Sequence, residues 1–228
     1  MKRLAVVVGI VVGLCAALAP PGRADVPVPG NYGQAMLWYE NAAKAGNAKA
    51  QYFLGILLET GVRGEPDAAA AAVWYRKAAE QGHLEAQYKL AHFLFAGHGV
   101  ARDHGEAAKW YEAAAEAGVA RAQHNIAIMY ELGQGVRRDA ARAAYWYAKS
   151  AEAGINQARL KLSLLLARGE GVERDPVDAL MWLELAIDGG VNGYEKFHDK
   201  LLGSLTAEDV DEARKRLDKR RAKPAKQP

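Results

Sequence analysis

A pair of neighbouring aromatic residues recurs along this chain at a fixed interval of 36 residues. The pair stands at Trp38-Tyr39, Trp74-Tyr75, Trp110-Tyr111 and Trp146-Tyr147, and a weakened copy follows at Trp182-Leu183. An alanine precedes each tryptophan by three positions, and a glycine follows it by eight. One unit of this length cannot bury its apolar face alone, whereas stacked neighbours complete a continuous core. The repeat therefore predicts a solenoid.

Each repeat is predicted to contain two helices. In the first helix, small and aromatic residues share one face at the spacing i, i+3, i+4, i+7 and i+8. In the first repeat these residues are Ala35, Trp38, Tyr39, Ala42 and Ala43. The second helix has its own apolar stripe, which in the first repeat consists of Ala50, Leu54, Leu57 and Leu58. In later repeats Asp103, Asp139 and Asp175 stand where a helix N-cap is needed.

These residues resemble the motif of Sel1-like repeat proteins, a family of helix pairs related to the tetratricopeptide proteins. The matching positions of the third repeat are Asp103, Ala107, Trp110, Tyr111, Ala114, Ala115, Gly118, Ala122 and Gln123. The period exceeds the tetratricopeptide unit of about 34 residues by two, which favours the Sel1-like assignment. The resemblance covers residues 31–203 and implies an all-α fold, a right-handed α/α solenoid of about five helix pairs with a C-terminal capping helix.

The end of the chain departs from the repeat. Tyr194 and His198 replace a small residue and a leucine in the fifth unit, as expected of a terminal capping repeat. Thr206 and Asp209 form a predicted capping box, so residues 204–221 are predicted to be the closing helix. Residues 222–228 are predicted to be a basic flexible tail. This tail either keeps the chain soluble, which we favour, or makes weak contact with an anionic membrane surface.

The first 24 residues have the pattern of a secretory signal peptide. A basic start precedes the uncharged run 4–19, and a small-residue step ends at Ala24, where we expect cleavage. The mature chain would then begin with a proline-rich, extended lead-in over residues 25–30 and would be periplasmic or secreted. A retained membrane anchor is the alternative, although the run is short for a bilayer span of about 20 apolar residues.

Removal of this segment changes the charge balance. Lys2, Arg3 and Arg23 lie in it with no acidic residue, so the 30 basic residues of the full chain fall to 27, against 27 acidic residues. Five of those 27 bases lie in the last ten residues, which leaves residues 25–218 with 22 basic and 27 acidic groups. Nucleic acids bind to basic faces of a folded body. The charge therefore argues against nucleic acid as a partner.

No arrangement of residues predicts catalysis, a cofactor or a metal site. His98 and His104, which flank Asp103, are the only local cluster of candidate metal ligands, and we interpret His98 as a solvated loop residue. Ser150 and Ser163 lie on buried stripes without the adjacent base that a nucleophile requires. We therefore expect no enzyme activity.

The candidate binding surface is the side of each first helix that faces away from the Ala-Trp-Tyr stripe. In superhelices of this family, that side tends to line the concave groove. The position before each tryptophan holds Leu37, Val73, Lys109, Tyr145 and Met181. Nearby cations complete the candidate set with Arg76, Lys77 and Lys149. Exposed apolar side chains edged by cations would suit a peptide with hydrophobic and acidic side chains. The alternative is that these side chains pack against a neighbouring turn or are merely scattered.

The resemblance implies a non-enzymatic interaction module that works as an adaptor or regulatory scaffold. We expect a monomer that holds a peptide or a folded protein of the cell envelope in its concave groove. One rival is a secreted Sel1-like protein that binds or hydrolyses β-lactams or cell-wall fragments, but the paired cysteines of that branch are missing, since Cys15 is the only cysteine. The other rival is a purely structural component of the envelope.

Overall fold

The computed structural model describes residues 32–62 and 64–222. Over these residues the chain forms eleven α-helices and no β-strand, so the prediction of an all-α repeat fold is confirmed. The predicted signal peptide (1–24), the predicted lead-in (25–30) and all but the first residue of the predicted tail (222–228) lie outside the described residues.

The helices follow one another through short turns, and the first nine span 13 residues each. In chain order they are α1 (Tyr32–Lys44), α2 (Ala48–Thr60), α3 (Ala68–Glu80), α4 (Leu84–Ala96), α5 (His104–Glu116), α6 (Ala120–Leu132), α7 (Ala140–Glu152), α8 (Asn156–Arg168), α9 (Pro176–Asp188), α10 (Glu195–Leu202) and α11 (Ala207–Arg221).

Aspartates begin the first helix of each later repeat. The side chains of Asp67, Asp103, Asp139 and Asp175 each accept a hydrogen bond from the backbone N–H three residues later, at distances between 2.8 and 3.0 Å. Each bond satisfies one of the N–H groups that the first helical turn leaves without a partner. The N-cap role predicted for the last three is confirmed, and Asp67 has the same role.

The loops after α4, α6 and α8 each need a glycine where they fold back onto a helix start. Gly135 has a φ of +70°, and a Cβ atom there would lie 2.1 Å from the carbonyl oxygen of His104, the first residue of α5. Gly99 and Gly171 approach the backbones of Ala68 and Ala140 in the same way. These loops therefore tie the end of each helix pair to its beginning.

The chain divides into two compact units, residues 1–102 and 103–228. In the first unit, α2 packs against α1 and α3, and α3 packs against α4. One buried cluster combines Tyr39, Ala43, Ala50 and Leu54. Tyr75, Leu90 and Phe93 are also fully buried. The tyrosine of each predicted stripe is thus a core residue.

In the second unit, residues 103–228, the same pattern continues through α5 to α9. Tyr111 and Tyr147 occupy the buried tyrosine position, with Ile126 and Met129 buried on α6. Three helices, α8, α10 and α11, pack against α9. Leu180 and Leu183 on α9 share one apolar cluster with Ala213 of α11.

A polar side chain on each of α2, α4, α6 and α8 forms a hydrogen bond with the first helix that precedes it. Its nitrogen donates a hydrogen bond to a backbone carbonyl eight residues earlier, which adds a side-chain tie between two packed helices. The four bonds run from Gln51 to Ala43 at 3.1 Å, Gln87 to Ala79 at 3.3 Å, Gln123 to Ala115 at 3.1 Å and Arg159 to Ala151 at 3.3 Å.

The closing helix α11 is stabilised by an N-terminal capping box and by ion pairs. Thr206 and Asp209 form the reciprocal capping box that the sequence predicts. Arg216 lies 2.7 Å from Asp178 and 3.5 Å from Asp175 at the start of α9, and 2.9 Å from Glu212 on its own helix. Since Ala213 and Leu217 are buried on the same helix, α11 covers an apolar surface that the last full repeat would otherwise leave open.

The loop glycines give a test of this packing. Gly135→Ala should lower the free energy of unfolding more than Gly118→Ala, because Gly118 has a φ of +94° but open space where a Cβ would be. A left-handed alanine alone costs about 1–2 kcal/mol, and at Gly135 the backbone of α5 would have to move as well. Urea denaturation followed by circular dichroism measures both losses. Equal losses would show that the approach to His104 contributes nothing.

Candidate functional site

In the first unit, the predicted binding face is exposed to solvent. Leu37 and Val73 are 56% and 52% exposed, whereas the neighbouring Tyr39 and Tyr75 are buried. Lys77 is exposed, and its Nζ atom lies 4.2 Å from the ring centroid of Trp74. A cation at this distance is attracted to the face of the indole, so this part of the face combines apolar area with a positioned charge.

In the second unit, Tyr145 presents the same face on α7. Tyr145 is 54% exposed, and its ring meets the ring of Trp146 edge-on at a centroid distance of 4.9 Å. The Nζ atom of Lys149, one turn further along, lies 5.6 Å from the Tyr145 ring centroid. Lys109, at the equivalent position of α5, is exposed as well. An aromatic side chain with a polar tip and a neighbouring cation is typical of protein-binding surfaces.

Helix α5 also carries an open hollow of about 440 Å³. Glu106, Lys109, Trp110 and Ala113 line it. The indole Nε1 of Trp110 donates a hydrogen bond to Glu106 at 3.1 Å, which fixes the ring's orientation. At the position of Ala113 the other repeats hold Asn41, Lys77, Lys149 or Leu185. The small side chain of Ala113 leaves room beside Trp110 that a larger residue would fill.

The prediction of exposure is wrong for Met181. This side chain is 1% exposed on α9, and Leu185, one turn further along, is also buried. The physical reason is that α9 is packed on by α8, α10 and α11, so little of its circumference reaches solvent. Among the other candidate residues, Arg76 is half-buried. The exposed ones are Leu37, Val73, Lys77, Lys109, Tyr145 and Lys149. Their part in binding stays a prediction.

Two partly buried ionic clusters stand apart from this face, and the sequence analysis did not predict them. In the first unit, Glu59 accepts hydrogen bonds from the Tyr75 hydroxyl and from Lys89 Nζ, the latter at 2.9 Å. In the second unit, Glu131, Tyr147 and Lys161 repeat the arrangement, with Lys161 Nζ at 3.0 Å. The sequence signal was a glutamate and a lysine spaced 30 residues apart, recurring after two repeats with the tyrosine between them.

The electrostatics of these clusters suit packing rather than proton transfer. Burial opposes the ionisation of Glu59 and Glu131, but hydrogen bonds from the tyrosine and lysine outweigh it and hold the pKa of each carboxyl below its ordinary value. Burial, and then the bond to the carboxylate, raises the pKa of the Tyr75 and Tyr147 hydroxyls far above their usual range. The clusters are therefore ion pairs held between helices.

The two serines considered as candidate nucleophiles are accounted for by packing. Ser150 and Ser163 are fully buried and donate to the backbone carbonyls of Ala120 and Ala179 at 2.8 and 2.7 Å. His98 is exposed, as predicted, with its ring 4.9 Å from that of Phe93. Within residues 32–62 and 64–222, no three His, Cys, Asp or Glu side chains come together as metal ligands. None of the described helices is long and apolar enough to cross a membrane.

The lowered pKa of Glu131 predicts a pH dependence. A carboxyl whose folded pKa lies below its ordinary value of 4.5 adds stability above that pH, and this contribution is lost as the pH falls through the folded pKa. Glu131→Gln should therefore cost about 1–3 kcal/mol at neutral pH and reduce the loss of stability that occurs as the pH falls below 4.5. Thermal melts across this range measure both effects.

Glu152→Gln is the matched control, since Glu152 is an exposed carboxylate in the same unit. It should change neither the melting temperature at neutral pH nor the acid limb. If Glu131→Gln behaved like this control, the cluster with Tyr147 and Lys161 would contribute nothing to stability.

Comparison with known proteins shows that the sequence matches a repeat family. Five consecutive Sel1 repeats match residues 22–47, 48–83, 84–119, 120–155 and 156–191. Each complete match from residue 48 onward begins at a second helix, so 48–83 holds α2 and α3. Helices α10 and α11 follow the last match. No curated protein matches the chain significantly.

Two solved structures show how far the similarity extends. A Sel1 repeat protein from Oxalobacter formigenes is 37% identical with a TM-score of 0.67, over 75% of this chain and 70% of that one. A protective antigen of uropathogenic Escherichia coli strains with an SLR fold is 30% identical with a TM-score of 0.56, over 87% of this chain. This chain spans 50% of the length of that antigen. The repeat matches and both structures agree that this chain belongs to the Sel1 repeat family.

Proposed function

We propose that this protein is a monomeric adaptor of the cell envelope that binds an apolar, acidic segment of a partner protein on the exposed face of its first helices. Sel1 repeat proteins generally mediate protein–protein interactions and are generally non-enzymatic. The observation that carries the proposal is the exposure of Leu37, Val73 and Tyr145, each more than half accessible at the same position of its repeat.

The energetics of this face favour a partner with apolar side chains. Covering apolar area contributes roughly 25 cal/mol per Å², and the recurrence of large exposed side chains at one repeated position supports a binding surface. None of these three side chains is needed for the core, since the buried tyrosine on the opposite side of each helix fills it. The residue type at these positions can therefore suit a partner without loss of core packing.

The charges beside this face favour carboxylates on that partner. Lys77 in the first unit, and Lys109 and Lys149 in the second, are exposed next to the apolar positions. Complementary charges set orientation and association rate more than affinity. In the second unit the hollow beside Trp110 would take one apolar side chain, with Lys109 at its rim for a neighbouring carboxylate.

Export is part of the proposal and has its own test. The basic start, the uncharged run 4–19 and the small residue Ala24 support cleavage and release into the periplasm. Expression of the full chain in a bacterial host should give a mature protein that starts at Asp25, and intact mass spectrometry of the periplasmic fraction measures this. Recovery of the uncut chain from the cytoplasm would contradict export.

The binding face is tested with the double variant Val73→Glu, Tyr145→Ala. Both side chains lie outside the core, so helicity and melting temperature should stay nearly unchanged while capture of partners from envelope extract falls. Affinity capture with quantitative mass spectrometry, beside the unmodified protein, measures the difference.

Leu132→Glu is the matched control, because Leu132 is 58% exposed but lies on a second helix, away from the candidate face. Partners lost with the double variant and kept with this control would support the proposal. Equal capture by all three proteins would contradict it, and unfolding of the double variant would place the two residues in the core.

A further inference from the structure

A cavity of about 390 Å³ lies where α9, the loop after it, α10 and the last residue of α11 meet. Ile187 and Val191 give it apolar wall, and Ile187 is 40% exposed. Its size falls within the range of small-ligand pockets, which begins at about 300 Å³. The cavity is distinct from the proposed binding face, and none of the candidate residues of that face lines it.

The cavity arises where the fifth repeat departs from the other four. The position of Ile187 holds a buried alanine in every earlier repeat (Ala43, Ala79, Ala115 and Ala151). The position of Glu195 holds the glutamine or arginine that donates a hydrogen bond back to that alanine's carbonyl. A carboxylate cannot donate this bond. The fifth repeat thus has an acceptor where the others have a donor, on a helix of only 8 residues.

The charges around the cavity do not cancel. Asp188 is neutralised by Arg221, whose nitrogens lie 2.6 and 3.0 Å from its Oδ2. Glu184, Glu195 and Asp199 remain, and the imidazole of His198 lies 3.5 Å from Glu184 and 3.9 Å from Asp199. Glu195 also accepts a weak bond from the Gly193 N–H at 3.3 Å. The cavity therefore offers hydrogen-bond acceptors and net negative charge beside apolar wall.

We propose that this cavity binds an aliphatic primary ammonium group, with its alkyl chain against Ile187 and Val191 and its nitrogen among Glu184, Glu195 and Asp199. An ammonium has three N–H donors and no acceptor, which complements this lining. Glu184 lies on α9, whereas Glu195 and Asp199 lie on α10. A compact point charge can reach carboxylates on two helices more readily than the planar fork of a guanidinium. The ligand is a small diamine or the lysine side chain of a partner protein.

The test is an NMR titration of the purified protein that follows the methyl groups of Ile187 and Val191. The probes are 1,5-diaminopentane, Nα-acetyl-lysine methylamide and, as the uncharged match in chain length, 1,5-pentanediol. Both ammonium probes should give saturable shifts of these methyl groups, and the diol should give none. Tighter binding of the diamine would identify a free small molecule as the source, and tighter binding of the lysine derivative a protein side chain.

Glu195→Gln is the informative variant, since it installs the residue that the first three repeats hold at this position. It should weaken binding of the ammonium probes about tenfold, the effect of losing one charged hydrogen bond. Glu116→Gln makes the same change of charge at an exposed site of the same unit and should leave binding unchanged. Glu184→Gln provides a second variant if Glu195→Gln alters the thermal melt.

Three results would overturn the proposal. One is the absence of saturable shifts with both ammonium probes. Another is an equal response to the diol, which would show that only the apolar wall binds. The last is equal weakening by Glu195→Gln and Glu116→Gln, which would reduce the effect to overall charge.

Discussion

The burial of one tyrosine in each of the first four repeats is the interaction on which the rest of this structure depends. A Cβ atom at Gly55 would lie 2.6 Å from the ring of Tyr75, so the facing helix must be small at that point for the ring to enter. The alanines around it let two backbones approach closely, and the hydroxyl then reaches a carboxylate held by a lysine. The rings of Tyr75 and Tyr147 thus join apolar packing to a partly buried charge.

This arrangement divides each first helix into two faces with different constraints. The face with the tyrosine is fixed by packing, where a change of one methylene is felt. On the first helices of the first four repeats the opposite face has no such constraint, and one position there carries leucine, valine, lysine and tyrosine. A repeat protein can therefore change the residues of this face without altering its fold.

Most of the fold could be predicted from the sequence. The repeat period determines where the helices lie, and the side chains of Asp103 and Thr206 mark helix starts because they cap the first turn. The site was predicted less well. The repeat alone identifies the face of Val73 and Tyr145, but burial of Met181 depends on α11, which packs against α9 from outside the repeat. The cavity beside Glu195 was also not predicted. Glu195 replaces the glutamine of Gln51, Gln87 and Gln123, and the effect of this replacement is evident only once the hydrogen bond of those glutamines is known.

The closing helix has a consequence for assembly. Stacked repeats have no intrinsic end, because the surface that receives one repeat also receives the next. Arg216 and Leu217 hold α11 over that surface on α9, where Leu180 and Leu183 are fully buried. A chain cut before residue 204 would offer this apolar face to the repeats of another copy, and such head-to-tail contacts do not close on themselves. In this sense α11 covers the surface to which a further repeat would otherwise be added.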